Sequence, residues 1–297
     1  VEVRENYDEE KDIRTTVVKI TTENGAKAMG RPQGNYITIE APGLSMSDED
    51  YHREISREIA RHLRNLISLE QEKSILVAGL GNSAITADSL GPHVVENLRI
   101  TRHMIKEYGL KNLGKEQMHR ISGIIPGVMA QTGMETSEIL KGIVAETRPD
   151  VVIAIDALAA RNTKRLNRTI QVTDTGINPG SGVGNHRHAL NEKSIGVPVV
   201  AIGIPTVVDA ATIVNDTMYN LIMAMNQDRD LKTIGHSLGN LNEAEKYELI
   251  RELLSPNLNT MFVTPKDIDE SVKRLSYTIS EALNIAFVDR NILENQE

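Results

Sequence analysis

A chain of 297 residues, 40% apolar and 25% charged, is long enough to bury a full core and has the mixture of a globular protein. Its formal charge of -8 argues against a nucleic-acid surface, and the short basic run at 164–168 does not change that, so no direct nucleic-acid partner is expected. With no cysteine, disulfides, thiolate metal sites and a Cys nucleophile are excluded, and with no apolar run near the roughly 18 residues of a membrane span, no membrane partner and a cytoplasmic location are expected.

The chain opens at Val1, as one shortened by processing or otherwise would. Residues 14–20, RTTVVKI, and 35–40, NYITIE, have strand composition and are joined by a polar segment carrying Asn24, Gly25 and Gly30. A helix follows, with Ser47 as N-cap, acids in its first turn, and Ile55, Ile59, Leu63 and Ile67 at helical spacing. Strand-like runs then recur as ILVAGL (75–80), VVIAID (151–156), TIQVTD (169–174) and VPVVAIG (197–203), with helical patterns at about 92–107, 134–147 and 206–225. Alternation of this kind predicts an α/β fold: a doubly wound, mostly parallel sheet with helices on both faces, plus a small N-terminal β-hairpin and a helical C-terminal part. The polar stretch 226–240 is expected to be a mobile loop; the helix NEAEKYELIRELL and a final helix, capped by Thr264 with Pro265 first, complete the chain. The expected organisation is a single domain, 1–297, with an N-terminal β segment at 1–45 and a peripheral loop and helix at 226–260.

The stretch ILVAGLGNSAITADSLGP matches the phosphate-binding pattern of dinucleotide folds, in which a helix starts at the glycine turn. Here Gly91 and Pro92 delay the helix by about ten residues, and no acid ends a second strand about 20 positions on. Two alternatives remain: a structural turn with a capping aspartate, or Asp88 as a site residue at the carboxyl edge of the sheet. Asp156 follows five apolar residues, so it is placed at or just past a strand end, as a helix N-cap or as a second site acid. Two carboxylates converging on one edge can serve as an acid–base pair, since like charge and burial leave one protonated and one ionised. Asp209 falls several residues into an expected helix and reads as structural or supporting.

Other motifs carry less. DTG at 174–176 matches pepsin-like proteases, but those are β-rich and need two such triplets. GHSLG at 235–239 matches the nucleophile elbow but lacks the buried strand before it. His186 and His188 lack a third obvious ligand, so no metal and no cofactor are expected. The glycine-rich segment DTGINPGSGVGNHRHAL is either a flexible surface loop or a backbone cradle for a peptide or an oxyanion. Asn82 and Thr86, with Gly180, Ser181, Gly182 and Gly184, are therefore expected to orient the acids or the substrate.

Taken in order and spacing, GLGNSAITADSLGPHVVENL, IPGVMAQTGMETSEIL, VVIAIDALAAR, TDTGINPGSGVGN and VPVVAIGIPTVVDA resemble the germination proteases of spore-forming Firmicutes, and GNYITIEAPG and SPNLNTMFVTPKDID extend the resemblance over nearly the whole chain. The resemblance implies an endopeptidase of the spore core that degrades small acid-soluble spore proteins, is made as a zymogen and acts as a homotetramer. It also implies an atypical aspartic peptidase related to the hydrogenase-maturation endopeptidases. Its two essential aspartates are carried by the resemblance onto Asp88 and Asp156, in TADSLGP and IAIDALAAR. The rival readings are a nickel-dependent maturation-type endopeptidase and a nucleotide-binding regulatory module.

Overall fold

A computed structural model describes residues 1–113, 115, 117–180, 188–228, 231, 242–254, 258 and 260–288. Among the described residues nine strands form one sheet: β1 (Glu2–Asp8), β2 (Ile13–Ile20), β3 (Gly34–Glu40), β4 (Ser74–Gly79), β5 (Arg120–Ile124), β6 (Val151–Ala160), β7 (Thr169–Thr173), β8 (Val199–Asp209) and β9 (Phe262–Val263). Their order is β1-β2-β3-β7-β8-β6-β4-β5, with β9 pairing β8. The pairs β8–β6, β6–β4 and β4–β5 are parallel; β4, β6 and β8 carry the apolar runs that the sequence marks as buried on both faces, whereas β5 is not marked in the sequence.

The other half is antiparallel, so the sheet is mixed and not mostly parallel. The expected N-terminal hairpin is present, with β2 antiparallel to both β1 and β3. β3 pairs with β7 from Tyr36↔Thr173 to Glu40↔Thr169, which joins them to the main sheet. The polar segment between β2 and β3 folds as a helix: Thr22 caps Glu23–Met29, and Gly30 ends it in the left-handed region at φ 61°.

Helices cover both faces, as the alternation predicted. On one face Glu49–Leu66, Leu90–Glu96 and Ile268–Phe287 cover a core containing Ile55, Ile59, Leu63, Ile75, Ile153 and Leu283. Each fully buried Leu or Ile of this set contributes about 1.5–3 kcal/mol relative to exposure. On the other face Leu140 and Val144 of helix Thr136–Thr147 pack on Leu76, Val152 and Ala154.

Local boundaries differ where side chains do the capping. Asp48, not Ser47, caps helix Glu49–Leu66, accepting from the Tyr51 N–H at 3.1 Å. The pattern over 92–107 is two helices, Leu90–Glu96 and Arg102–Asn112. Thr101 pins the break to β5: its hydroxyl donates to His119 O at 2.6 Å and accepts from the Ile121 N–H at 2.9 Å. β8 runs through Val208 to Asp209, so the helix expected from 206 begins at Ala210. The last helix starts at Ile268, after Pro265. Most of the loop expected at 226–240 lies outside the described residues. Among the described residues no helix is long and apolar enough to cross a membrane.

Candidate active site

Asp88 is brought to the sheet by glycines that let backbone rest on backbone. After β4, the Leu80 N–H donates to Ile155 O at 2.8 Å, which ties the strand exit to β6. Gly81 then turns at φ 109°, where a Cβ would lie 2.0 Å from Asp88 O. The loop returns so that the Asn82 N–H donates to Asp88 Oδ2 at 2.8 Å, inside a short turn spanning Thr86–Asp88. A Cβ on Gly91 would lie 2.4 Å from Leu80 O and 2.6 Å from Ile155 O, so the next helix sits directly on the strand ends. In a phosphate-binding turn the amides face an open space. Here Asp88 itself fills the turn, and the helix starts only at Leu90.

Asp156 lies within β6, not past its end, because the strand continues through Ala160. It is therefore no helix N-cap. It is 6% exposed and pairs in register with Gly203 of β8. Three residues on, the β6–β8 register slips: Leu158 faces Pro205, Ala159 faces Val207, and Thr206 is left as a bulge. The Thr206 hydroxyl donates to Ala87 O at 2.6 Å, next to Asp88. β8 thus holds Asp156 through its ladder and the Asp88 turn through its bulge.

Both aspartates line one cavity of about 540 Å3, floored by Leu80, Gly81 and the end of β6. They are the only acids lining it among the described residues. Arg31, Arg161 and Arg165 line it as well. Arg31 stacks over Tyr36 at 5.2 Å from the ring centre, and Arg165 reaches Glu40 at 3.3 Å. Sequence reasoning missed Thr206 and these arginines. One signal was present for Thr206: a proline inside an apolar strand run marks a bulge or an edge, and Pro205 precedes it.

Asn82 supports the loop: its Oδ1 accepts from the Ala84 N–H at 3.0 Å and from Gln131 Nε2 at 2.9 Å. Thr86 does not line the cavity; its carbonyl accepts the Ser89 hydroxyl at 2.8 Å. Gly180 does line it, while Ser181, Gly182 and Gly184 lie outside the described residues.

Asp174 of the DTG triplet is structural, accepting from Asn35 N–H at 2.7 Å and Asn35 Nδ2 at 2.6 Å to tie the end of β7 to β3. Asp209 caps helix Ala210–Gln227 by accepting from the Thr212 N–H, and receives the Tyr247 hydroxyl at 3.0 Å, so it is not inside the helix. Burial, followed by the Asp209 charge, pushes the Tyr247 phenol up. GHSLG and His186 lie outside the described residues; His188 is exposed, with Nδ1 3.9 Å from Glu135. Among the described residues no three His, Asp or Glu side chains gather as a metal site would require.

The family model described as germination protease matches residues 1–233 and 223–297. The germination protease of Caldanaerobacter subterraneus subsp. tengcongensis is 47% identical over 96% of this chain and 87% of its own length. That of Clostridium perfringens is 44% identical over 96% and 88%, and that of Bacillus subtilis 38% identical over 99% and 89%. Among solved structures, a [NiFe] hydrogenase maturation protease from Thermococcus kodakarensis aligns with a TM-score of 0.33 at 17% identity, covering 75% of this chain and 99% of that one. With the family model spanning the chain and relatives this similar along nearly all of it, the protein belongs to the germination protease family, a family of peptidases.

Proposed function

We propose that the protein is an endopeptidase of germinating spores that cuts small acid-soluble spore proteins with a pair of aspartates, Asp88 and Asp156. The observation that carries this reading is that Asp88, from the turn after β4, and Asp156, from within β6, line one cavity that holds no other acid among the described residues. A carboxylate pair of this kind hydrolyses an amide by dividing the proton work. The ionised carboxylate takes a proton from a water whose oxygen attacks the carbonyl carbon, while the protonated one donates to the carbonyl oxygen. The tetrahedral species then collapses, the C–N bond breaks, and the leaving nitrogen takes a proton from the pair. The family's zymogen form, homotetramer and spore-core location belong to the same proposal.

The substrate class is tested by incubating the purified protein with a small acid-soluble spore protein and sequencing the products. Cleavage at a few internal bonds is the expected result. An intact substrate alongside rapid cutting of an unrelated unfolded protein would refute the substrate assignment.

A further inference from the structure

β6 is longer than β4, its neighbour on one side. β4 pairs with β6 only from Ile75↔Val151 to Gly79↔Ile155, and Leu80 adds the last bond, to Ile155 O. Beyond that point β6 continues from Asp156 to Ala160 with β8 on one side only, and among the described residues no strand pairs with its other side. Backbone polar groups of a strand alternate from side to side. The Val152 N–H donates to Pro198 O at 2.9 Å, toward β8, whereas Ile155 O faces β4. By the same alternation Ala157 and Ala159 direct their N–H and C=O groups to the β4 side, past the end of β4. That side opens into the cavity, which both residues line, and both are partly exposed.

We infer that this open edge of β6, at Ala157 and Ala159, receives the substrate as an added strand, which sets its backbone against Asp156 and Asp88. The inference rests on the two-aspartate reading and extends it: the ligand class is an extended peptide recognised through its main chain. Two further features suit such an occupant. The two residues whose main-chain groups face that side, Ala157 and Ala159, carry small side chains on one face of the strand, with Leu158 on the other, and Arg161 follows at the end. Main-chain pairing gives affinity with little regard to side chains, and selectivity then falls to the cavity walls.

The test uses backbone-methylated peptides, since altering the substrate does not put the fold of the protein at risk. A cleavable peptide from a small acid-soluble spore protein is prepared as a series, each member N-methylated at one position around the scissile bond. Binding is measured by fluorescence polarisation on Asp88→Asn, and cleavage on the wild type. Methylation at alternate positions is expected to weaken binding roughly three- to tenfold per lost bond, while the intervening positions change it less than about twofold. Uniform weakening, or none, would overturn the added strand. The two readings fail separately: an active Asp88→Asn refutes the aspartate pair, whereas an inactive variant with a flat methylation profile refutes only the strand.

Discussion

The Thr206 hydroxyl lies 2.6 Å from the carbonyl oxygen of Ala87, so a bulge in β8 grips the turn that carries Asp88. Thr206 is fully buried, and the same strand pairs with Asp156 through Gly203. One strand thereby contacts both of the segments that carry the two carboxylates.

From this it follows that Thr206→Val, which keeps the volume and removes the hydroxyl, lowers kcat about 10- to 100-fold with KM within about twofold, the scale on which small misplacements act. Thr206→Ser restores most of the loss. Thermal unfolding of the Val variant shows a cost of about 1–2 kcal/mol for the lost hydrogen bond. Equal kcat in the Val variant and the wild type would remove Thr206 from the positioning of Asp88.

The glycines of the first loop are packing devices. Gly81→Ala places a methyl where Asp88 O stands, at a φ of 109°, and Gly91→Ala drives one into Leu80 and Ile155 backbone. Each is expected to cost roughly 3 kcal/mol or more and to abolish cleavage. Gly133→Ala is the control. Its φ of 71° is also left-handed, but nothing lies within 4 Å of the new methyl, so about 1 kcal/mol is lost and activity stays. Denaturant titration of the three variants checks the ranking.

Apolar runs marked β4, β6 and β8 because buried parallel strands are continuous in sequence. The pairing of β3 with β7 was not visible, because no local periodicity records a contact between residues more than a hundred positions apart. The sequence places Asp156 at a strand end because it closes a run of five apolar residues; the ladder with β8 carries the strand on to Ala160, through residues that are weak strand formers on their own. Asp88 and Asp156 could be chosen from the sequence as strand-edge acids, but their common cavity and the Thr206 clamp exist only once β8 lies between β6 and β7.

Glu58 gives the fold an acid-side dependence. The His62 ring, hydrogen-bonded at 3.1 Å, holds its carboxyl below the usual glutamate range against the opposing effect of burial, with the Arg61 guanidinium and the Thr15 hydroxyl adding to the effect. A depressed folded value means stability that is full above the ordinary glutamate range and is lost as pH falls through the depressed one. Glu58→Gln is therefore expected to lower stability by about 1 kcal/mol at neutral pH and to converge on the wild type in acid. Melting temperatures across pH decide it; a constant gap at all pH values would contradict the linkage.

Arg161 is exposed and lines the same cavity as the two aspartates, whereas Arg165 is paired with Glu40. The Arg161 charge favours a carboxylate on the bound peptide. Arg161→Gln is expected to raise KM roughly three- to tenfold for an anionic peptide and little for a neutral one, with the difference shrinking as salt is added. Steady-state kinetics at two ionic strengths measures it, and equal effects on both peptides would count against a binding role for this charge.

The central claim is that Asp88 and Asp156 act together on one water and one carbonyl. Its most direct test is single-turnover cleavage of a spore-protein peptide by Asp88→Asn, Asp156→Asn and the double variant, with the melting temperature of each as a check on the fold. The account predicts that each single change slows cleavage by about 10^3-fold or more and that the double change adds little, since groups acting as a unit are not additive. Near-wild-type cleavage by either folded single variant would contradict it.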